Sequence, residues 1–512
     1  MTEAGPPGQG SPVASSATFA ARLANASRAA GPPLLFGLRL WVSVCLALYL
    51  AFWLELDNAY WAGTTAALAC QPQLGASLRK GWFRVIGTVV GAVAIVVLTA
   101  CFPQNRVAFL VGLALWGSGC AFVATILRNF LALAAQLAGI TAAIIASSQL
   151  GATGGANGEA FMLAVIRCTE ICVGIVSAGV VLTGTDFGSA SRRLATLIAD
   201  ISTEVMRRFV CTLALSGPEL PETQPMRQER IRRVVELDPI IEEAIGESSQ
   251  LRPHSPVLAM AVGGLLAAVA SWRVVAVHFA QLPHDQARQE AATVLQAVPK
   301  ELLPEPEREE PARWIADPIG LGRICDAGVQ ALIALPAGTP SLRLLADRTA
   351  KLFAGVSHAL NGLALLVRDF ARPVPRRRDV LPCVADWLPA LVSAGRAFVA
   401  VGAVELFWIV TAWPNGAGGI IFVAIGVILF APRADQAYAA VMSFMAGIGL
   451  AAAFAAIIAF AVLLGLESFA AFSFAIGIVL VTADAGVAQP WQTPVFTAIA
   501  AFFAFFSLRQ TR

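Results

Sequence analysis

Charge is scarce in this chain of 512 residues. Lys, Arg, Asp and Glu make up 13% of it, about half of the ~25% usual in soluble domains. With 57% hydrophobic residues and a mean hydropathy of +0.71, that scarcity excludes a water-soluble globular protein and leaves an integral membrane one. The net charge of +3 excludes the basic field a nucleic-acid partner requires. Histidine is rarer still, with four residues and none at ligand spacing, so no metal site is expected. The nine cysteines contain no CxxC pair. Cys45, Cys70, Cys101, Cys120, Cys168 and Cys172 lie inside apolar runs and read as small buried hydrophobes, not as a disulfide framework. GxSxG, HExxH and Walker A sequences are absent. The chain is therefore not read as an enzyme, no cofactor is implied, and ATP is not its energy source.

The few charges are unevenly placed. Residues 184–390 carry 23 of the 36 basic and 24 of the 33 acidic residues. The expected architecture is all-α and polytopic: a disordered N-terminus over 1–33, a first transmembrane repeat over 34–183, a helical cytoplasmic domain over 184–390 and a second repeat over 391–512. First-half spans are predicted near 34–54, 59–71, 82–102, 107–127, 130–149 and 161–183. In the second half they fall near 391–411, 416–431, 437–464, 468–484 and 491–508. Arg22, Arg28, Arg79, Lys80, Arg84, Arg128, Arg192 and Arg193 fall on one side of the first half, and Glu55, Asp57, Glu159 and Arg106 on the other. The positive-inside rule makes the first side cytoplasmic. Within 184–390, apolar residues recur at helical spacing near 188–214, 225–250, 255–281, 284–298, 321–335 and 340–370. The apolar run Pro256 to Ala270 is short and ends at Trp272-Arg273, so it reads as a buried core helix and not as a span.

One predicted span is short. Tyr60 to Cys70 lies between the polar corner Glu55, Asp57, Asn58 and the Gln71-Pro72 break. A dozen apolar residues cannot cross a core of ~30 Å as a straight helix, so its ends must lie in protein or face water. A basic loop (Arg79, Lys80, Arg84) follows, and then a helix spaced by Gly87 and Gly91, which permits close helix contact. The layout returns about 360 positions later: Arg39 precedes Pro72 by 33 positions and Arg396 precedes Pro432 by 36, while Pro72 to Gly87 and Pro432 to Gly447 are both 15. Trp61 and Trp413 open the two short segments. Paired, short, interrupted segments in two halves point to a transport site between them.

Ionisable groups inside apolar runs are functional by default. Arg39 and Arg396, at matching places, suit bidentate binding of a carboxylate if they converge on one cavity; snorkelling to the interface is the plain alternative. Glu405 suits proton exchange or an ion pair with a neighbouring helix. Arg167 and Glu170 share a helix face and either pair with each other or take part in coupling. Asp57 and Asn58 either form a polar turn or line an exit beside Trp61.

The stretches LDNAYWA, QPQLGASLRKGWFRVIGTVVGA, ATILRNF and AVIRCTEICVGI resemble the fusaric acid resistance family, and RRVVELDPIIEEA is similar to that family's soluble domain. The matching positions are Asp57, Tyr60, Trp61, Gln71, Pro72, Arg84, Gly87, Gly91, Arg128, Asn129, Arg167 and Glu170. The resemblance implies a multi-pass protein of the bacterial inner membrane that exports aromatic carboxylic acids or similar amphipathic anions. It also implies a periplasmic adaptor and an outer-membrane channel as partners. A passive anion channel and a membrane-anchored interaction or sensing protein are the alternatives, and a homo-oligomer is left open.

Overall fold

The computed structural model describes residues 13–71, 74–127, 129–153, 160–185, 190–214, 223–248, 251–302, 310–367, 387–414, 416–462, 468–487 and 493–509, and no strand occurs among them. The first half holds α1 (Val13–Trp53), α2 (Tyr60–Ala69), α3 (Leu74–Cys101), α4 (Arg106–Ile126), α5 (Asn129–Thr153) and α6 (Ala160–Thr185). The middle holds α7 (Ala190–Ala214), α8 (Thr223–Val235), α9 (Leu237–Glu247), α10 (Ser255–Gln281), α11 (His284–Gln296), α12 (Glu310–Ala316), α13 (Pro318–Ala334) and α14 (Pro340–Val367). The second half holds α15 (Trp387–Thr411), α16 (Gly416–Leu429), α17 (Ala437–Ile457), α18 (Phe469–Val487) and α19 (Thr493–Arg509). The chain is an all-α polytopic membrane protein: among the described residues ten helices are long and apolar enough to cross a bilayer.

The chain divides into two compact units. The first carries α1, α2, α4–α6, α15–α19 and α3 from Lys80 onward; the second carries α7–α14 and the opening turns of α3.

In the first unit the two halves interlock. α1 packs on α18 and α4 on α15, while α2 packs on α19 and α5 on α16. Both α1 and α15 end on a non-glycine residue in the left-handed region, Glu55 (φ 54°) and Ala412 (φ 50°). α6 packs on α1 and α2, and no helix stands at its place in the second half among the described residues. Helix contact in lipid depends on close backbone approach because apolar burial gives no advantage over lipid tails. A side chain at Gly87 or Gly91 of α3 would overlap the Ala134 or Ala138 carbonyl of α5. In the second half a side chain at Gly447 of α17 would likewise meet the Val495 carbonyl of α19.

Several expectations are corrected here. Arg79, Lys80 and Arg84 do not lie in a loop: α3 begins at Leu74, directly past the Gln71-Pro72 break, because Leu-Gly-Ala-Ser-Leu-Arg-Lys is mostly good helix former. α1 begins at Val13, so residues 13–33 are helical rather than disordered, through the Ala- and Arg-rich run over 20–30. The predicted segment 225–250 is two helices, α8 and α9, that break at Glu236. Pro318 starts α13 three residues earlier than expected, with the Asp317 side chain accepting from the Gly320 N–H at 3.0 Å. α17 gives way to a π-helical turn at Ile458–Val462. Cys101 and Cys172 lie on the outer faces of their helices, not inside; a small apolar side chain suits a lipid-facing surface equally well.

In the second unit α10 packs along α14, and α13 and α7 also pack on α14. α10 and α14 are both apolar enough to qualify as spans, yet their apolar faces enter a core with Trp272, Phe209 and Phe353 at its centre. Trp272 Nε1–H donates to Thr212 Oγ1 at 2.9 Å, which satisfies the one polar atom of the indole. On α7, Glu204 accepts from Arg207 (2.5 Å), Arg208 (2.9 Å) and Arg230 (2.7 Å). Burial alone would raise the Glu204 carboxyl, but the hydrogen bonds from Arg208 and Arg207 and the charge of Arg230 outweigh it and hold it below its ordinary value.

Two predictions follow from this packing. Gly87→Leu forces α3 off α5 and should cost about 1–3 kcal/mol or more, seen as reduced folded yield and a lower melting temperature in detergent. Gly119→Leu, at a glycine with open space around it, should leave both unchanged. Glu204, with its lowered folded pKa, stabilises the chain above the unfolded carboxylate value of about 4.3 and loses that contribution as pH falls through its folded value. Glu204→Gln should therefore melt lower than wild type at pH 7, and the gap should close below about pH 4. Melting curves of the full chain at stepped pH check this.

Candidate functional site

The second and third turns of α3 hold Lys80 and Arg84 one turn apart, on the face that continues to Gly87 and Gly91. Because those glycines seat α3 tightly on α5, the two cations stay in the first unit and line a cavity of about 800 Å³. Its walls come from α2, α3, α5 and α6 of the first half and from α16, α17 and α19 of the second. Arg84 is 6% exposed, and its Nε has no hydrogen-bond partner. Neither Arg84 nor Lys80 forms an ion pair among the described residues. Arg167 of α6 also faces the cavity, with its guanidinium 3.8 Å from the Trp61 ring and its Nη1 3.3 Å from the Glu170 carboxylate. Arg433 lies 5.3 Å over Phe430. The described lining thus holds four cations and no carboxylate.

The remaining surface is aromatic. Phe430 and Phe444 meet edge to face at 5.3 Å, and Phe444 and Phe502 at 6.0 Å. Counted from Pro72 and Pro432, Lys80 and Arg84 occupy the places of Ala440 and Phe444, and all four line this cavity. One half supplies charge where the other supplies an apolar or aromatic face. Thr64 Oγ1 is buried there without a partner, while Gln136 Nε2 donates to the Leu429 carbonyl at the end of α16 (3.1 Å). An unpaired buried guanidinium is costly unless something neutralises it. The volume lies within the ~300–1,000 Å³ of small-molecule sites, and the arrangement fits an anion with an aromatic body.

The structure gathers several predicted residues at one edge of this cavity. Tyr60 O–H donates to Asn58 Oδ1 at 2.9 Å, and Asp57 and the Asn58 backbone stand beside Glu170. With Trp61, Arg167 and Glu170 they form one continuous cluster. The two arginines singled out by the repeat do not share a cavity with each other. Arg39 donates to the Thr185 carbonyl at the C-terminus of α6, where a cation is favoured, and lines none of the three cavities described. Arg396 lines a separate cavity of about 700 Å³ with Ser393 and Tyr438. Trp413 lines a third, of about 790 Å³. Glu405 is 4% exposed, has no ion pair among the described residues and lines none of the three. The Gln71 side chain donates to the Cys70 carbonyl at 2.9 Å. Asn129 opens α5 at φ 54°, a conformation asparagine tolerates. Pro72 and Arg128 lie outside the residues described.

Thr64, Gln136, Arg433, Phe430 and Phe444 were not expected at the site; Lys80 was expected only as loop charge, and Arg84 as loop charge and as a position matching the family. The i, i+4 spacing of Lys80 and Arg84, in phase with Gly87 and Gly91, and the 360-residue offset that sets them opposite Ala440 and Phe444 would have found three of them, Lys80, Arg84 and Phe444.

The chain matches the Fusaric acid resistance protein family over residues 33–511. It is 34% identical over 147 residues to the uncharacterized transporter YdhK of Escherichia coli strain K12, covering 29% of this chain and 22% of that protein. It is 24% identical over 412 residues to the uncharacterized transporter GOX0755 of Gluconobacter oxydans, covering 77% of this chain and 54% of the relative. It is 25% identical over 433 residues to the p-hydroxybenzoic acid efflux pump subunit AaeB of Yersinia pestis strain Pestoides F, covering 81% and 62%. The matches thus span between a fifth and three-fifths of the length of these relatives.

Glu405 offers a test of its own. With no cation partner among the described residues, Glu405→Gln should leave the melting temperature in detergent unchanged or slightly higher. A drop of several degrees, as when one partner of a buried ion pair is removed (~3–5 kcal/mol), would show that Glu405 is paired.

Proposed function

The chain belongs to the fusaric acid resistance protein family, and from that footing we propose that it is an inner-membrane efflux transporter for aromatic carboxylic acids and similar small amphipathic anions. The observation that carries this reading is the buried Arg84, which has no ion pair among the described residues, with Lys80 beside it, in a cavity that also presents Phe430, Phe444 and Phe502. A carboxylate supplies the acceptor that Arg84 lacks, in the planar geometry a guanidinium matches. The ring attached to it meets edge-to-face partners. Lys80 contributes a second positive charge without a carboxylate competing for it.

The arginine distribution supports a cytoplasmic position for residues 184–390 in this reading. A membrane potential negative inside then favours anion exit by ~2.3 kcal/mol per charge per 100 mV. The described lining holds no Asp or Glu, so the drive in this reading falls on the anion's own charge and not on a carboxylate inside the cavity. Relatives named as subunits of an efflux pump support assembly with a periplasmic adaptor and an outer-membrane channel.

Binding of p-hydroxybenzoate to the purified full chain tests the reading. Arg84→Ala should raise the Kd about ten- to a hundredfold, which corresponds to the ~1.5–3 kcal/mol of a charge-assisted hydrogen bond. Arg396→Ala, in the neighbouring cavity that has only Phe430 in common with the first among the described lining residues, should change it less than about threefold. Absence of binding to the wild type, or equal binding by wild type and Arg84→Ala, overturns the assignment.

A further inference from the structure

The cationic cavity has a neighbour along the same helices. On α16 the stretch from Ile425 onward lines the cationic cavity, while Ala417 to Phe422 lines the cavity of about 790 Å³ that holds Trp413. On α5, Leu133 to Ile144 lines the first and Ile144 to Ser148 the second. The two cavities are therefore stacked end to end inside the first unit, and Trp61 and Ile144 line both. Their chemistry differs. The second cavity presents Tyr60, Ser147, Ser148, Trp413 and Phe505, with no charged side chain among its described lining residues.

Trp61 is fixed where the cavities meet. It is 8% exposed. One contact is with the Arg167 guanidinium at 3.8 Å, and another is with the Phe505 ring at 5.1 Å and 63°. Phe502 of the first cavity continues the barrier, 6.0 Å from Phe505 and 6.2 Å from Phe422 of the second. Among the described residues Arg167 forms an ion pair with Glu170 alone, and its Nε has no hydrogen-bond partner. A carboxylate in the first cavity can therefore compete for the same guanidinium that holds the indole.

We propose that the Trp413 cavity is a second, uncharged site for the aromatic anion, and that Trp61, clamped by Arg167, is the partition between the two. For the identity of the ligand this rests on the reading given above; the partition itself does not. An anion bound at Arg84 draws Arg167 away from the indole, Trp61 turns aside, and the ring passes into a site lined by aromatic faces and hydroxyls. Stacking retains the ring there, but no cation holds the carboxylate, so the second site binds more weakly and favours release. A loose uncharged site beside a tight cationic one eases release from the second site, while the direction of net movement is set by the anion's electrochemical gradient.

Side-specific labelling tests this. In the full chain with its native cysteines replaced, Ser148→Cys reports on the second cavity. An impermeant maleimide is applied to right-side-out spheroplasts and to inside-out vesicles. With Trp61 present, labelling is expected from one side only. Trp61→Ala should raise labelling from the other side at least tenfold, Trp61→Phe should keep it one-sided, and Arg167→Ala should give an intermediate rise. Saturating p-hydroxybenzoate should raise far-side labelling in the chain that retains Trp61. Two-sided labelling with Trp61 in place, or one-sided labelling in both Trp61→Ala and Arg167→Ala, overturns the partition. Should Trp61→Ala fail to reach the membrane, Arg167→Ala and the p-hydroxybenzoate effect decide the matter in the same directions. If p-hydroxybenzoate neither binds nor alters labelling while the variants behave as expected, the ligand reading fails and the partition stands.

Discussion

A positive charge held inside an apolar helix bundle, without a carboxylate beside it, is the constraint on which this protein turns. Burying an unpaired guanidinium costs free energy that packing around it cannot return. Arg84 accepts that cost: it is buried, lacks an ion pair among the described residues and leaves Nε unsatisfied. Arg167 shows the other solution in the same cavity wall, paired with Glu170 and stacked on Trp61. In the proposed function the contrast separates a group available to a ligand from one used to hold the wall in place.

That arrangement depends on how the helices approach one another. Lys80 and Arg84 face inward because Gly87 and Gly91, further along the same face, bring α3 against the backbone of α5. Gly447 does the same for α17 on α19. The halves then interlock through α1 with α18 and α4 with α15, so that equivalent helices surround one space. Once related positions face each other, a difference between the repeats becomes a difference between the walls. Lys80 and Arg84 on one side stand against Ala440 and Phe444 on the other. α6 adds Arg167 and Glu170 from one half alone, which gives the cavity an edge that its internal repeat does not reproduce.

The second unit obeys a different rule. α10 and α14 have the length and hydropathy of membrane spans, and in isolation their composition would place them in lipid. They are paired instead with each other and with α13 and α7 around Trp272, Phe209 and Phe353. Charged networks such as Glu204 with its three arginines clothe the outside. Hydropathy records what a helix can tolerate; the polar face beside it determines which solvent it meets.

The sequence by itself determined the membrane class, the helical content, most helix positions and the family. These depend on composition and on 3.6-residue periodicity, which are local and additive. It also marked Gly87 and Gly91 as a contact face and Arg167 and Glu170 as a pair, because both signals lie within one or two turns. The basic residues near Arg84 were legible as charge but not as a site, since a helix starting at Leu74 rather than near residue 82 is what turns them inward. Arg39 and Arg396 looked equivalent by position, yet one meets the C-terminus of α6 and the other a separate cavity. Only the tertiary structure decided that, and only it placed Phe444 in one cavity with Arg84 and Trp61 between two. Those relations join residues tens to hundreds of positions apart, and they are set by the register in which small residues let the backbones meet, a quantity that no single helix carries.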